Sequence, residues 1–308
     1  MSDELPELLV PLGTHIVTRL DLADLAGAPR PAGAVAIVVA NPADDERGYL
    51  ARFPDGGEVR LARRQFSIRK QSARAVEGLP PQPTLERARP YLIYRCVVGS
   101  RAYGLDNEQS DTDRRGIFLP PAAWHWSLAG VPEQVEDPAA EESYWEAQKF
   151  LGLALKGNPN ILECLYSPLV EHASPLAQEL LDQRRIFLSR RIYQSYNGYV
   201  LSQFKRLEQD LRTAGQIKWK HAMHLVRLLL SGIAALEEGA VMVRVDRDRE
   251  RLLAIRRGEQ TWEQVNAWRM ELHRAFDRAF ARTSLPEFPD YRAADAWLLK
   301  ARRSMVDG

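Results

Sequence analysis

Four prolines, Pro80, Pro81, Pro83 and Pro90, fall within residues 78–90. Each proline fixes φ and removes a backbone donor, so neither a helix nor a central strand can run through the stretch. It reads as a stiff linker and a domain boundary. Before it, apolar residues alternate over short runs. After it, they recur at helical spacing over long ones. The chain therefore divides into a small β-rich part and a larger part that mixes strands with helices.

In residues 1–77 the short runs are 9–12, 14–18, 34–39, 48–53, 58–61 and 66–68. Asp55-Gly56-Gly57 between two of them is a hairpin signal. Strands this short and this closely spaced predict a small β-barrel of SH3-like or KOW-like size. Its last strand region is basic: Arg60, Arg63, Arg64, Arg69, Lys70 and Arg74 have no acid between them. That is either a solvated edge that discourages aggregation or a contact surface for a phosphate backbone.

Beyond the linker, residues 91–98 read as a buried strand, with further strands expected at 111–119 and 141–145. Glu136 and Asp137, beside Pro138, read as loop. Residues 146–156 have helical spacing and stop at Gly157-Asn158-Pro159. From Leu176 onward nearly everything reads as helix, apart from a possible hairpin near Val241–Val245. The fold class is α+β: a core at 91–175 and a helical domain at 176–308.

The formal net charge of the 308 residues is only +1. It is unevenly spread, because residues 1–58 carry 4 basic and 10 acidic side chains while residues 184–257 carry 16 basic and 7 acidic. A positive block of that size suits a polyanionic partner. The two cysteines, Cys96 and Cys164, are too few for a disulfide scaffold and lack zinc-ligand spacing. They read as small buried hydrophobes. The acidic start has no basic region of a secretory signal, and no apolar run approaches membrane-spanning length. The expected setting is the cytoplasm, with no membrane partner.

The chemistry concentrates in Gly99-Ser100-Arg101-Ala102-Tyr103-Gly104 and Ser110-Asp111-Thr112-Asp113-Arg114-Arg115-Gly116. A Gly-Ser turn directly after a buried strand offers backbone N–H groups and a hydroxyl to a phosphate. Asp111 and Asp113, two apart on an expected strand, would point to one face. Paired carboxylates repel unless a cation lies between them, and magnesium commonly bridges such carboxylates to substrate phosphates. Each half alone is weak, since Gly-Ser is common and Asp-x-Asp can cap a turn.

Together the two halves match the nucleotidyltransferase motif of the DNA polymerase beta superfamily. With Lys149-Phe150, then Lys156-Gly157-Asn158-Pro159-Asn160, and the stretch Lys220-His221-Ala222-Met223-His224-Leu225-Val226-Arg227-Leu228, the chain resembles the nucleotidyltransferases associated with RNA repair operons. The resemblance spans roughly residues 90–300. It implies a polymerase-beta-like palm, two magnesium ions (manganese as a substitute) and transfer of a nucleoside monophosphate from a nucleoside triphosphate. It also implies a third carboxylate, for which Glu141 is favoured over Glu142. Members of the family tend to carry Asp at that position, so Glu is a departure.

On the implied nucleotide site, Gly99, Ser100 and Arg101 would hold phosphates. Lys220, His224 and Arg227 share one helical stripe that could neutralise the triphosphate; the bland alternative is a solvated helix face. Glu163 is a weaker site candidate. Arg190 and Arg191, with Tyr193, Tyr196 and Tyr199, could stack nucleic-acid bases or simply pack the core. The expected acceptor is an RNA end. A protein hydroxyl receiving AMP, and a catalytically inactive RNA-binding module, are the alternatives.

Overall fold

The computed structural model describes residues 10–42, 48–68, 82–214 and 217–306. Arg69, Lys70, Arg74 and the start of the proline-rich stretch lie outside the described residues. The chain forms two compact units, divided between Pro80 and Pro81.

The first unit contains β1 (His15–Thr18), β2 (Leu22–Ala23), β3 (Pro29–Arg30), β4 (Val35–Ala40), β5 (Tyr49–Arg52), β6 (Glu58–Leu61) and β7 (Phe66–Ile68). Five of these make an antiparallel sheet in the order β6-β5-β4-β1-β7, and β2 pairs with β3. Alternate residues face inward, so Ile16, Ala36, Val38, Ala51, Val59 and Phe66 are buried together. Among the described residues the ladders run from β6 to β7, and none joins these two edge strands to each other. The run at 10–12 turns instead of pairing. Pro11 lacks a donor, its carbonyl accepts from Thr14 N at 3.2 Å, and Gly13 adopts φ 82°.

The second unit is built on β8 (Leu92–Val97), β9 (Arg114–Phe118), β10 (Gln134–Asp137), β11 (Glu142–Glu146) and β12 (Val170–Ala173), in the order β10-β11-β9-β8-β12. The β9–β11 pair is parallel and the rest are antiparallel. Gly116 allows β8 and β9 to close up, since a Cβ there would lie 1.9 Å from the Tyr94 carbonyl oxygen. Glu136 and Asp137, expected as loop, end β10 opposite Ser143 and Glu142. The ladder reaches them because Asp137 Oδ1 caps the following turn, accepting from Ala139 N and Ala140 N.

Short helices α1 (Leu85–Ala88), α2 (Gly99–Tyr103) and α3 (Ala122–Trp126) connect strands. Next come α4 (Ala147–Ala154), α5 (Pro159–Leu165) and α6 (Pro175–Asp182). Glu146, Asn158 and Ser174 cap these three helices, each accepting from backbone N–H groups of the first turn. The remaining helices are α7 (Arg191–Ala214), α8 (Trp219–Glu238), α9 (Arg249–Arg256), α10 (Trp262–Arg282) and α11 (Tyr291–Arg303). One buried cluster runs from Tyr94 on β8 to Ala301 on α11. The helices beyond 176 therefore share the core of the sheet and are not a separately cored body. Cys96 and Cys164 are both buried in it, as free thiols. Val241–Val245 forms no hairpin. The segment pairs with no strand, buries Val241, Val243 and Val245, and its Val245 N donates to Tyr103 O at 3.0 Å. No helix among the described residues is long and apolar enough to cross a membrane.

Candidate active site

The site begins at the C-terminal end of β8. Val98 N donates to Asp113 O at 2.9 Å, which sets the Gly99 turn against the segment entering β9. Gly99 adopts φ 71°, and a Cβ on it would lie 2.4 Å from Asp113 Oδ2. Asp111 and Asp113 precede β9 and do not lie on it, because β9 pairing starts only at Arg114. Their loop is shaped by Asn107, whose side chain and backbone bond Ser110. Arg101, expected on the nucleotide, donates to Ser110 O at 2.8 Å and Asp111 O at 3.2 Å, so it holds the acidic loop. A Gly99→Ala variant should lose roughly 10²-fold in turnover, the scale of a 1 Å misplacement at a reacting centre. Label transfer compared with the melting temperature would separate displaced carboxylates from a damaged fold.

Glu141 and Glu142 part ways. Glu142 lies on β11 and pairs with Arg89 at 2.9 Å. Glu141 sits just before the strand at φ 54°, unusual for a residue with a Cβ. Its backbone oxygen accepts from Arg114 N at 3.0 Å and from Arg115 Nη1 at 2.7 Å. Its Oε2 is buried without a hydrogen-bond partner. Burial raises the Glu141 carboxyl above the usual carboxylate range, and the charges of Asp113 and Asp111 push it the same way. Arg115 stands among these acids, its Nη2 3.4 Å from Asp113 Oδ1.

A buried carboxylate oxygen without a hydrogen-bond partner, within reach of the charges of Asp113 and Asp111, suits a hard divalent cation. Among the described residues no three such groups stand close enough to form a ready-made ligand cluster. The residues fit the ion by chemistry, with the acids still to be drawn together.

The expected cationic stripe on α8 is split by burial. Lys220 is exposed near the helix start, close enough for its charge to act on Glu141. His224 is held down to about 3, first by burial and then by the charges of Arg227 and Lys220, so it is neutral near pH 7. Arg227 is 3% exposed. Its Nη2 bonds Glu163 Oε1 at 2.7 Å, and its guanidinium lies 3.6 Å from the Tyr103 ring centroid. Glu163 Oε2 accepts from Tyr103 OH at 2.6 Å. Arg227 and His224 therefore brace α2 from beneath and do not face solvent as a phosphate clamp.

The His224 shift has a definite sign. The fold favours the neutral ring, so stability falls as pH drops below the unfolded histidine range near 6.5 and levels off near the folded value. His224→Leu should flatten the slope of stability against pH between about 6 and 4, by up to about 1.4 kcal/mol per pH unit. Denaturant melts across that range would check it.

The profile of the RNA repair pathway DNA polymerase beta family (RlaP) matches residues 81–300. The chain belongs to this family. The match covers nearly all of the second unit, in which the Gly99 turn and the three acids lie. The chain is also 28% identical over 143 residues to the uncharacterized protein YcgL of Bacillus subtilis (strain 168), covering 46% of this chain and 54% of that protein. It thus spans about half the length of this curated relative.

In this RlaP chain, Gly99 and Asp113 open onto a recess of about 380 Å³. Arg115, Ser143 and Trp145 line it, as do Asn160 and Glu163 of α5. Sequence reasoning missed Arg115, although it adjoins the Asp-x-Asp pair. It also missed Arg249 and Arg256, which donate to Gly104 O and Leu105 O and so fix the end of α2. Their seven-residue spacing inside the positive block was the available signal.

Proposed function

We propose that the chain transfers a nucleoside monophosphate from a nucleoside triphosphate to an acceptor hydroxyl, with an RNA end as the acceptor. The observation that carries this reading is Asp113 set against the Gly99 turn at the end of β8, with Glu141 presenting a buried, unpartnered carboxylate oxygen that feels the charges of Asp113 and Asp111. Membership of a polymerase-beta-type family tied to RNA repair supports the same chemistry.

In this reading Asp111, Asp113 and Glu141 hold two magnesium ions, with manganese as a substitute. The ions would supply a lowered pKa at the acceptor hydroxyl and charge neutralisation on the triphosphate. The backbone N–H groups at Gly99 and Ser100, with the Ser100 hydroxyl, take the β- and γ-phosphates. Lys220 offsets negative charge that builds on the departing pyrophosphate. Arg115 holds the acids in place by bonding the Glu141 carbonyl and facing Asp113. Arg101 bonds the Ser110 and Asp111 carbonyls and so keeps the acidic loop closed.

The test is incubation with α-labelled nucleoside triphosphates, magnesium, and either RNA or a protein pool. Label should enter RNA and be lost in the Asp111→Ala plus Asp113→Ala variant. Label entering protein would replace the RNA acceptor with a protein hydroxyl. No label in either pool, with wild type and double variant alike, would end the transferase reading and leave a binding module.

A further inference from the structure

We propose that a cleft at the start of α7, formed by Arg190, Arg191, Phe280 and Phe288, binds single-stranded RNA. The cleft encloses about 370 Å³ and is lined in addition by Gln194 and Glu287. That lies within the size range of small-ligand sites. The Arg190 guanidinium sits 4.4 Å from the Phe280 ring centroid, and Arg191 sits 5.2 Å from that of Phe288. Phe280 is fixed in turn, stacked on Tyr193 at 4.3 Å and 19°, while Tyr193 OH donates to Asp277 at 2.7 Å. Arg190 N donates to Pro286 O at 2.8 Å, so the segment leading to Phe288 is anchored to the helix start.

Two features of the cleft point to a nucleic acid. Among the described residues neither arginine has a carboxylate within ion-pairing distance, Glu287 included. The two guanidinium groups are thus charged donors without an acidic partner. Phe288 is 51% exposed, a large aromatic side chain presented beside those charges. A cation next to an open ring suits a chain that alternates phosphates with flat bases. The surrounding block, residues 184–257, carries the +9 excess of the chain. An acidic peptide would use the arginines, but its carboxylates would leave the Phe288 ring without a flat partner. Of the tyrosines first suspected of stacking, Tyr196 is wholly buried and Tyr193 supports Phe280, while Tyr199 is exposed further along α7.

The inference goes beyond the proposed reaction and does not depend on it, because binding in the cleft needs none of the three acids. Fluorescence anisotropy of the full chain with a short labelled single-stranded RNA tests it. Phe288→Ala should weaken binding about tenfold, the scale of one lost base stack. Arg191→Gln should reduce the slope of log affinity against log salt by about 0.7, one single-strand phosphate contact. Gln194→Glu, an exposed substitution that removes no packing, should weaken binding by a similar factor and guards against a folding artefact. The Asp111→Ala plus Asp113→Ala variant should bind as wild type does, whether or not transfer activity exists. No binding by wild type, cleft variants that bind like wild type, or loss of binding in the double aspartate variant would each overturn the proposal. Competition by polyglutamate as strong as that by RNA would overturn it too, in favour of an acidic protein surface.

Discussion

Replacing Asp113 with Asn should lower nucleotidyl transfer roughly 10³-fold while leaving the melting temperature unchanged or slightly raised. The two effects separate because Asp113 holds little of the fold together through its side chain. Its one ion pair among the described residues, to Arg115, is 3.4 Å long and partly exposed. Pairs of that kind contribute about 0–1 kcal/mol. Against this, the Asp113 carboxylate repels Glu141, whose carboxyl is already raised by burial. Asn keeps the shape and removes the repulsion. Under the proposed reaction the catalytic loss would arise because an amide is a poor ligand for a hard dication and would leave the phosphates short of neutralisation. Thermal melts with and without magnesium give a readout independent of turnover: magnesium should raise the wild-type melting temperature more than that of Asp113→Asn. Equal turnover in the two proteins would remove Asp113 from the reaction.

Glu163→Ala should destabilise the second unit by about 3–5 kcal/mol, since it leaves Arg227 as an uncompensated buried charge. For a unit of this size that is a fall of about 10 °C in melting temperature. Arg227 is buried and has two further buried nitrogens, Nε and Nη1, without hydrogen-bond partners. Burial works against its charge, and Glu163 and Tyr103 more than offset that. Removing Glu163 also deprives the Tyr103 hydroxyl of its acceptor. Arg227→Met should cost a similar amount from the other side. The double variant Glu163→Met plus Arg227→Met should recover much of the loss, because a well-packed apolar pair needs no compensation. If the double variant were as unstable as the sum of the single ones, the pair would not be coupled, contrary to the 2.7 Å contact. Glu163 also lines the recess, so all three variants should transfer more slowly than their stability alone would dictate.

How far the sequence could be read depended on where each residue's partner lies. The Gly-Ser turn and the Asp-x-Asp pair are local patterns, and both fall at the same end of one sheet. That Asp111 and Asp113 precede β9 was not readable, because an extended segment becomes a strand only where a neighbour pairs with it. Glu141 and Glu142 are adjacent and chemically alike. Their separation rests on the φ of 54° at Glu141 and on Arg89, more than fifty residues upstream, as partner of Glu142. The α8 stripe was misread for a different reason. Lys220, His224 and Arg227 do share a face, but Ala222, Leu225, Leu228 and Leu229 are buried around it. A helix apolar on most sides sinks into a core and takes its polar residues with it. Glu163 gave almost no signal, because its partner Arg227 is 64 positions away.

The core shared by β8 and the helices beyond 176 also governs how this molecule fails on heating. Tyr94 and Cys96, just before the Gly99 turn, belong to the same buried cluster as Phe276, Trp297 and Ala301. A palm trimmed at residue 175 would expose that cluster, so it could not serve as a minimal catalytic fragment. The same continuity makes the second unit one cooperative block. Loss of transfer activity and loss of helical circular dichroism should therefore coincide in a single thermal transition, with no temperature window in which a melted helical tail leaves a working site behind.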